Sequence, residues 1–264
     1  MNAKELLDAG RLAALVELLN QEVRANPTDA KLRTFLFEAL CFAGDYQRAH
    51  RQLDALEGLN AQLESRIAIY RNLLAAEQSR LAVASESQLP VFLLEPPAFA
   101  SLFLAALHRL REGNAADARA LLMEGMELQP AASGKNDGQQ FTDFSDADPF
   151  LGPFLEVFVN ERYVWVPFVQ IKGFKIETPK HLRDLLWVPA TLDIVGRPSG
   201  RVLLPVLYSG SFRHPDEQVR LGRATEWDDV GENLVRGRGQ RMFLVGDGEK
   251  PILQCREIEF DTTN

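Results

Sequence analysis

Cysteine and histidine are scarce in this chain of 264 residues, which carries two of the first and four of the second. Cys41 falls in an expected helix and Cys255 in an expected late strand, so both read as buried, reduced thiols, too few for a zinc site. His50, His108, His181 and His214 are scattered without HExxH spacing, and no GxSxG elbow, Walker loop or dinucleotide fingerprint occurs. No catalytic residue, cofactor or metal is therefore assigned, and an enzyme is not expected. Positive charge is also short, with 29 Lys and Arg against 37 Asp and Glu and a net charge of -8, which argues against nucleic acid as the main partner. Long apolar runs are missing too. None approaches the roughly 20 residues that cross a bilayer, so membrane insertion is not expected. The opening MNAKELLDAGRLAALVELL begins on an amphipathic pattern without a signal-peptide layout, which points to the cytoplasm.

What the chain does have is a recurrent glycine. Gly10 and Gly44 lie 34 positions apart, and Gly113 follows 69 after Gly44, one more than two further periods. That is the pitch of a tetratricopeptide array, in which helix pairs bury their apolar faces by stacking on neighbours. Gly permits the tight turn inside a pair, and Pro27 and Pro130 stand at equal distances after Gly10 and Gly113 to stop the second helix. Tyr46, Ala49 and Leu53 supply the large, small and large positions of the fullest second helix. Between the second and third glycines, Leu63, Ile67, Tyr70, Leu74, Glu77 and Leu81 keep helical spacing. This stretch reads as a degenerate pair whose turn has become Gln78 or Ser79.

After Pro130 the composition changes. Residues 131–149, AASGKNDGQQFTDFSDADP, have no sustained apolar period and read as a linker whose Asp143, Asp146 and Asp148 are solvated, since a calcium loop's alternating ligands and distal Glu are missing. Beyond it the period shortens to two, with Leu155, Val157 and Val159 alternating against Glu156, Phe158 and Asn160. Further strands are expected over 163–166, 174–177, 187–195, 201–208, 240–245 and 251–260, with short helical turns after Pro167 and over 179–186. The fold class is thus α+β in two domains. A tetratricopeptide-like helical domain (1–130) and the linker (131–149) precede a small, mostly antiparallel, barrel-like β domain (150–264).

Polar candidates in the second half read as structural. His181 and Asp184 share one helical turn, where a surface pair is commoner than a catalytic dyad. Arg220, Arg223 and Glu226 beside Trp227 read as an internal ion pair on the indole face. Arg236, Arg238 and Arg241 could touch phosphate, but in an acidic chain they are more often solvated or paired.

The segments PFLGPFLEVFVNERYVWVPF (149–168), LRDLLWVPATL (182–192), VLYSGSF (206–212), LGRATEW (221–227) and GRGQRMFLVGDGEKPILQCREIEF (237–260) together resemble the ImpE family, also called TagJ or SciE-type proteins. The resemblance covers essentially the whole chain. It implies an accessory protein of type VI secretion on the cytoplasmic side, with the small subunit of the contractile sheath as partner through an N-terminal helical segment. The repeat alone implies only that a protein or peptide is held. Its concave face would carry Lys31, Thr34, Glu38 and Phe42 from one pair and Phe103, Leu107 and Arg111 from another, a mix that suits an amphipathic helix. The rival classes are a holdase for hydrophobic clients, and a hydrolase or phosphatase regulator built on the β domain.

Overall fold

The computed structural model describes residues 1–59, 64–86 and 88–261. Its first half is helical: α1 (Ala3–Asp8), α2 (Leu12–Ala25), α3 (Ala30–Phe42), α4 (Tyr46–Glu57), α5 (Glu64–Ser85), α6 (Phe99–Arg111) and α7 (Ala115–Leu128). The turns after α1, α3 and α6 are the same turn three times. Gly10, Gly44 and Gly113 sit at φ of 72°, 71° and 78°. Each glycine N–H donates back to the carbonyl three residues earlier, and the next N–H to one five residues earlier, as in Asp45 to Leu40 at 3.0 Å. Only glycine takes this left-handed conformation without strain, which is why the spacing was visible.

The stretch read as a degenerate pair is one continuous helix. Gln78 and Ser79 lie inside α5 with no turn, and Leu63 lies outside the described residues. Helical spacing alone does not say whether one helix or two carries it, and nothing in this segment forces a turn. The helix buries Ile67, Tyr70, Leu73, Leu74, Glu77, Arg80 and Val83, so most of its circumference is covered.

The second half is built on a nine-stranded sheet in the order β1-β6-β5-β9-β8-β7-β14-β2-β3. The strands are β1 (Val91–Phe92), β2 (Gly134–Asn136), β3 (Gln139–Phe141), β5 (Phe154–Val159), β6 (Arg162–Pro167), β7 (Ile171–Ile176), β8 (Trp187–Ile194), β9 (Gly200–Pro205) and β14 (Glu257–Phe260). Pairing is antiparallel except where β1, from between α5 and α6, lies parallel to β6. The sheet has two ends and does not close, so the barrel-like expectation gives way to an open sheet. A three-stranded sheet orders β13 (Gly248–Pro251), β12 (Met242–Val245) and β4 (Phe144–Asp146), and β10 (Thr225–Gly231) pairs with β11 (Leu234–Gly239). A short α8 spans Glu217–Arg220. Residues 251–260, expected as one strand, are broken by a 3-10 turn over Ile252–Gln254.

The linker reading of 131–149 is corrected by β2, which pairs with β14 and with β3, and by β4, which pairs with β12. Phe141 and Phe144 are buried there, and Phe144 packs at 4.9 Å from both Phe168 and Phe243. The alternation expected in β5 also fails. Phe154, Leu155, Glu156, Val157 and Phe158 are all buried, because helices cover one face of the strand and the aromatic layer lies on the other side of the sheet. One contiguous cluster of buried apolar side chains runs from Leu6 in α1 to Ile258 in β14. The helical and β halves share this core.

Candidate functional site

The residues expected on a concave helical face do not meet on an open surface. Phe103 is fully buried between Phe99 and Phe154 at centroid distances of 6.3 and 5.5 Å, so its ring is spent on the helix–sheet core. Phe42 is buried beside Tyr46, Trp187 and Phe212 around a cavity of about 20 Å³. Leu107 is buried next to Val83 and Trp165. Arg111 donates to the Val83 carbonyl at 2.5 Å, and the Thr34 hydroxyl to the Ala30 carbonyl at 2.7 Å. Lys31 alone of the set is freely exposed, in the first turn of α3. The chain's own β half occupies the face that a ligand would fill, which removes Phe42, Phe103 and Leu107 from the candidate contact set. Apolar spacing locates an inward face without saying whether a ligand or the same chain covers it.

The second half of the chain brings buried charges to that junction. Arg80 of α5 grips Glu156 of β5 with Nε and Nη2, both at 2.9 Å, and donates to Glu77 at 3.1 Å and to the Leu207 carbonyl at 2.6 Å. Arg241 reaches both Glu156 and Asp146, Tyr163 donates to Glu156, and the Trp187 indole N–H donates to Glu77 at 3.2 Å. Burial pushes the Asp146 carboxyl up to about 6 against the pull of Arg241. Asp148 accepts from Arg236 at 2.8 Å, and Arg238 pairs with Asp228 at 2.6 Å. All three arginines of the 236–241 stretch are thus paired. Asp146 and Asp148, expected as solvated, are buried because these arginines come from far along the chain. The buried pair of Arg80 with Glu156 ties α5 to β5, since removing either partner would leave an uncompensated buried charge.

The other polar candidates are also structural. The Asp184 carboxylate accepts from the backbone N–H groups of Lys180 and His181 at 2.8 and 2.9 Å, which makes it a cap of the short turn that follows. The ion pair expected on Trp227 does not form. Arg220 donates to the His214 carbonyl, and Arg223 donates to the carbonyls of Leu7 and Asp8 at 2.6 and 3.0 Å. No cluster of three or more His, Cys, Asp or Glu that could hold a metal occurs among the described residues.

A groove of about 550 Å³ opens at the helix–sheet junction. One wall is the outer side of α5, with Arg66, Ile69 and Asn72; the other is β9, with Arg201, Val202 and Leu203. Arg183 closes one end, its guanidinium 5.4 Å from the centre of the Tyr70 ring and hydrogen-bonded to the Tyr70 hydroxyl. Ile69 is 54% exposed, an aliphatic side chain held in water at the lip. Arg66, Arg183 and Arg201 are the groove's cations, Arg201 being bridged to Glu177 at 2.7 Å, and the carboxylate that lines the groove, Asp184, is used as the turn cap. Behind Tyr70, burial raises the Glu38 carboxyl to about 7, partly offset by Arg183. A groove with apolar walls and arginines can recognise an apolar segment that carries carboxylates; it contains no nucleophile and base aligned for chemistry. Among the residues expected at the site, only Glu38 neighbours this groove. The sequence signal for it was Ile69, an apolar residue off the 67-70-74 stripe of its helix.

The ImpE family's sequence model, described as "ImpE protein", matches residues 138–259. The chain is 37% identical over all 264 residues to the type VI secretion system accessory component TagJ of Pseudomonas aeruginosa, and the match spans 92% of that protein. The crystal structure of protein VPA1032 from Vibrio parahaemolyticus has the same fold, with a TM-score of 0.92, 25% identity, and 100% and 98% of the two chains covered.

Proposed function

The chain belongs to the ImpE family, and from that premise we propose that it is a non-enzymatic accessory protein of a type VI secretion system, acting on the cytoplasmic side by holding one component of the machine. The observation that carries this reading is the end-to-end likeness to TagJ. The component is the small subunit of the contractile sheath, taken through its N-terminal helical segment. The groove between α5 and β9 is the docking site. An amphipathic helix laid there sets its apolar stripe against Ile69, Val202 and Leu203 and its carboxylates toward Arg66, Arg183 and Arg201. In a chain of net charge -8, a local cationic surface selects its partner by charge as well as by shape.

Calorimetry of the full chain against a synthetic peptide of that sheath segment, with a scrambled peptide alongside, tests the proposal. Ile69→Asp should weaken binding by about thirtyfold, roughly 2 kcal/mol, because it puts a charge at the apolar anchor. Arg201→Glu should act mainly by slowing association, most visibly at low salt. A peptide that binds both variants as it binds wild type moves the site elsewhere. Equal affinity for the scrambled sequence favours a holdase for hydrophobic clients instead.

A further inference from the structure

Helix α7 presents an outward stripe that is symmetric about its own centre. Its buried side, with Ala118, Leu122 and Gly125, packs on α6. Projected at about 100° per residue, the side chains within about 60° of Met123 are Ala116, Arg119, Ala120, Met126 and Glu127. Every one of them is exposed. Met123 and Met126 are 49% and 47% accessible, an unusual amount of flexible apolar surface to leave in water on one short helix. Past Met126 the apolar surface continues over Pro130 and Ala131 to Leu244 of β12, around a depression of about 420 Å³. The β10–β11 hairpin approaches α7 at Ala115, where a Cβ on Gly231 would lie 3.3 Å from the Ala115 Cβ, which is beside this stripe.

The order of residues along the stripe specifies its occupant. Arg119 and Glu127 stand four residues before and four after Met123, and Ala120 and Met126 three before and three after. Neither Arg119 nor Glu127 forms an ion pair among the described residues, and their helical neighbours at four residues, Ala115 and Met123, carry no charge. A helix running antiparallel across Met123 and bearing this same sequence brings each Arg119 to the partner's Glu127, and each small Ala120 to the partner's Met126. Met123 meets its own copy on the axis. Ala116 and Ala120 let the two backbones approach, and the two ion pairs fix the register. We propose that α7 is an isologous self-association surface, through which two copies of this chain pair about a twofold axis at Met123. The inference goes beyond the accessory role and does not depend on the sheath partner.

A single helix pair buries little area, so the association should be weak and concentration-dependent. Sedimentation velocity of the full chain over a roughly hundredfold concentration range around the micromolar should show a reversible rise toward dimer. Met123→Glu, which places two carboxylates on the axis, should leave a monomer with unchanged circular dichroism. Arg119→Glu and Glu127→Arg should each weaken pairing by about tenfold, through like charges set opposite one another. The double variant Arg119→Glu with Glu127→Arg restores opposite charges across the axis and should return to near wild-type association. A wild type that stays monomeric throughout, or a Met123→Glu variant that still dimerises, overturns the proposal. A double charge swap no better than the single variants overturns the antiparallel register.

Discussion

Glu38 shows at the scale of one residue how the shared core changes chemistry. Its carboxyl is buried under Arg183 and Tyr70, and burial moves it from 4.5 to about 7. Below pH 4.5 the group is protonated in the folded and unfolded chain alike, and burying it as an acid carries no charge penalty. As pH rises through about 7 the unfolded chain gives up this proton first, so the folded state loses stability, on the order of 3 kcal/mol in all. Asp146, raised from 3.8 to about 6, acts with the same sign over a lower window. Glu38→Gln should therefore gain stability over wild type by a similar amount between pH 4 and pH 8, as read from urea unfolding at each pH, while the Asp146 slope persists in both proteins. Helical spacing put Glu38 on a concave face offered to a ligand, whereas the fold buries it beneath Arg183 and Tyr70. Glu156 is the complementary case. It looked like a water-facing position in an alternating strand, and its partners Arg80 and Arg241 are too distant in sequence for any local pattern to register them.

At the scale of the element, the turns were the most readable feature and the short strands the least. Gly44 and Gly113 were recognisable because a left-handed residue between helices almost demands glycine. They differ in what surrounds them. A Cβ at Gly44 would lie 2.2 Å from the Phe212 ring, whereas at Gly113 nothing lies within 4 Å. Gly113→Ala should thus cost about 1 kcal/mol, the backbone strain alone. Gly44→Ala should cost clearly more, since a phenyl ring from the β half must also move, and paired thermal melts will rank the two. The strands β2, β3 and β4 went unread because GKN, QQF and FSD carry no apolar alternation. They are strands because β14 pairs with β2, β2 with β3 and β12 with β4, which is tertiary context overriding composition.

For the whole molecule, the change from helical to strand periodicity was legible and the packing of one half on the other was not. Separate periodicities suggested separate domains, but Phe99 and Phe103 of α6 pack on Phe154, and Arg80 of α5 is neutralised by Glu156. A fragment of residues 1–130 would expose those rings and leave Arg80 with only Glu77. It should behave as a loosely packed species, with helical circular dichroism but an uncooperative thermal transition, and limited proteolysis of the full chain should spare 131–149. A sharp, two-state melt of the fragment would restore independent domains. The contact between Arg223 and the end of α1 bears on the same unity in time. The Leu7 and Asp8 carbonyls receive their hydrogen bonds from a side chain 216 and 215 residues further on. At the roughly 5–20 residues per second of translation, the first helix waits on the order of 10 to 40 s for the residue that finishes it. During synthesis the emerging helices therefore keep their future sheet-facing surface uncovered until the β half has been made.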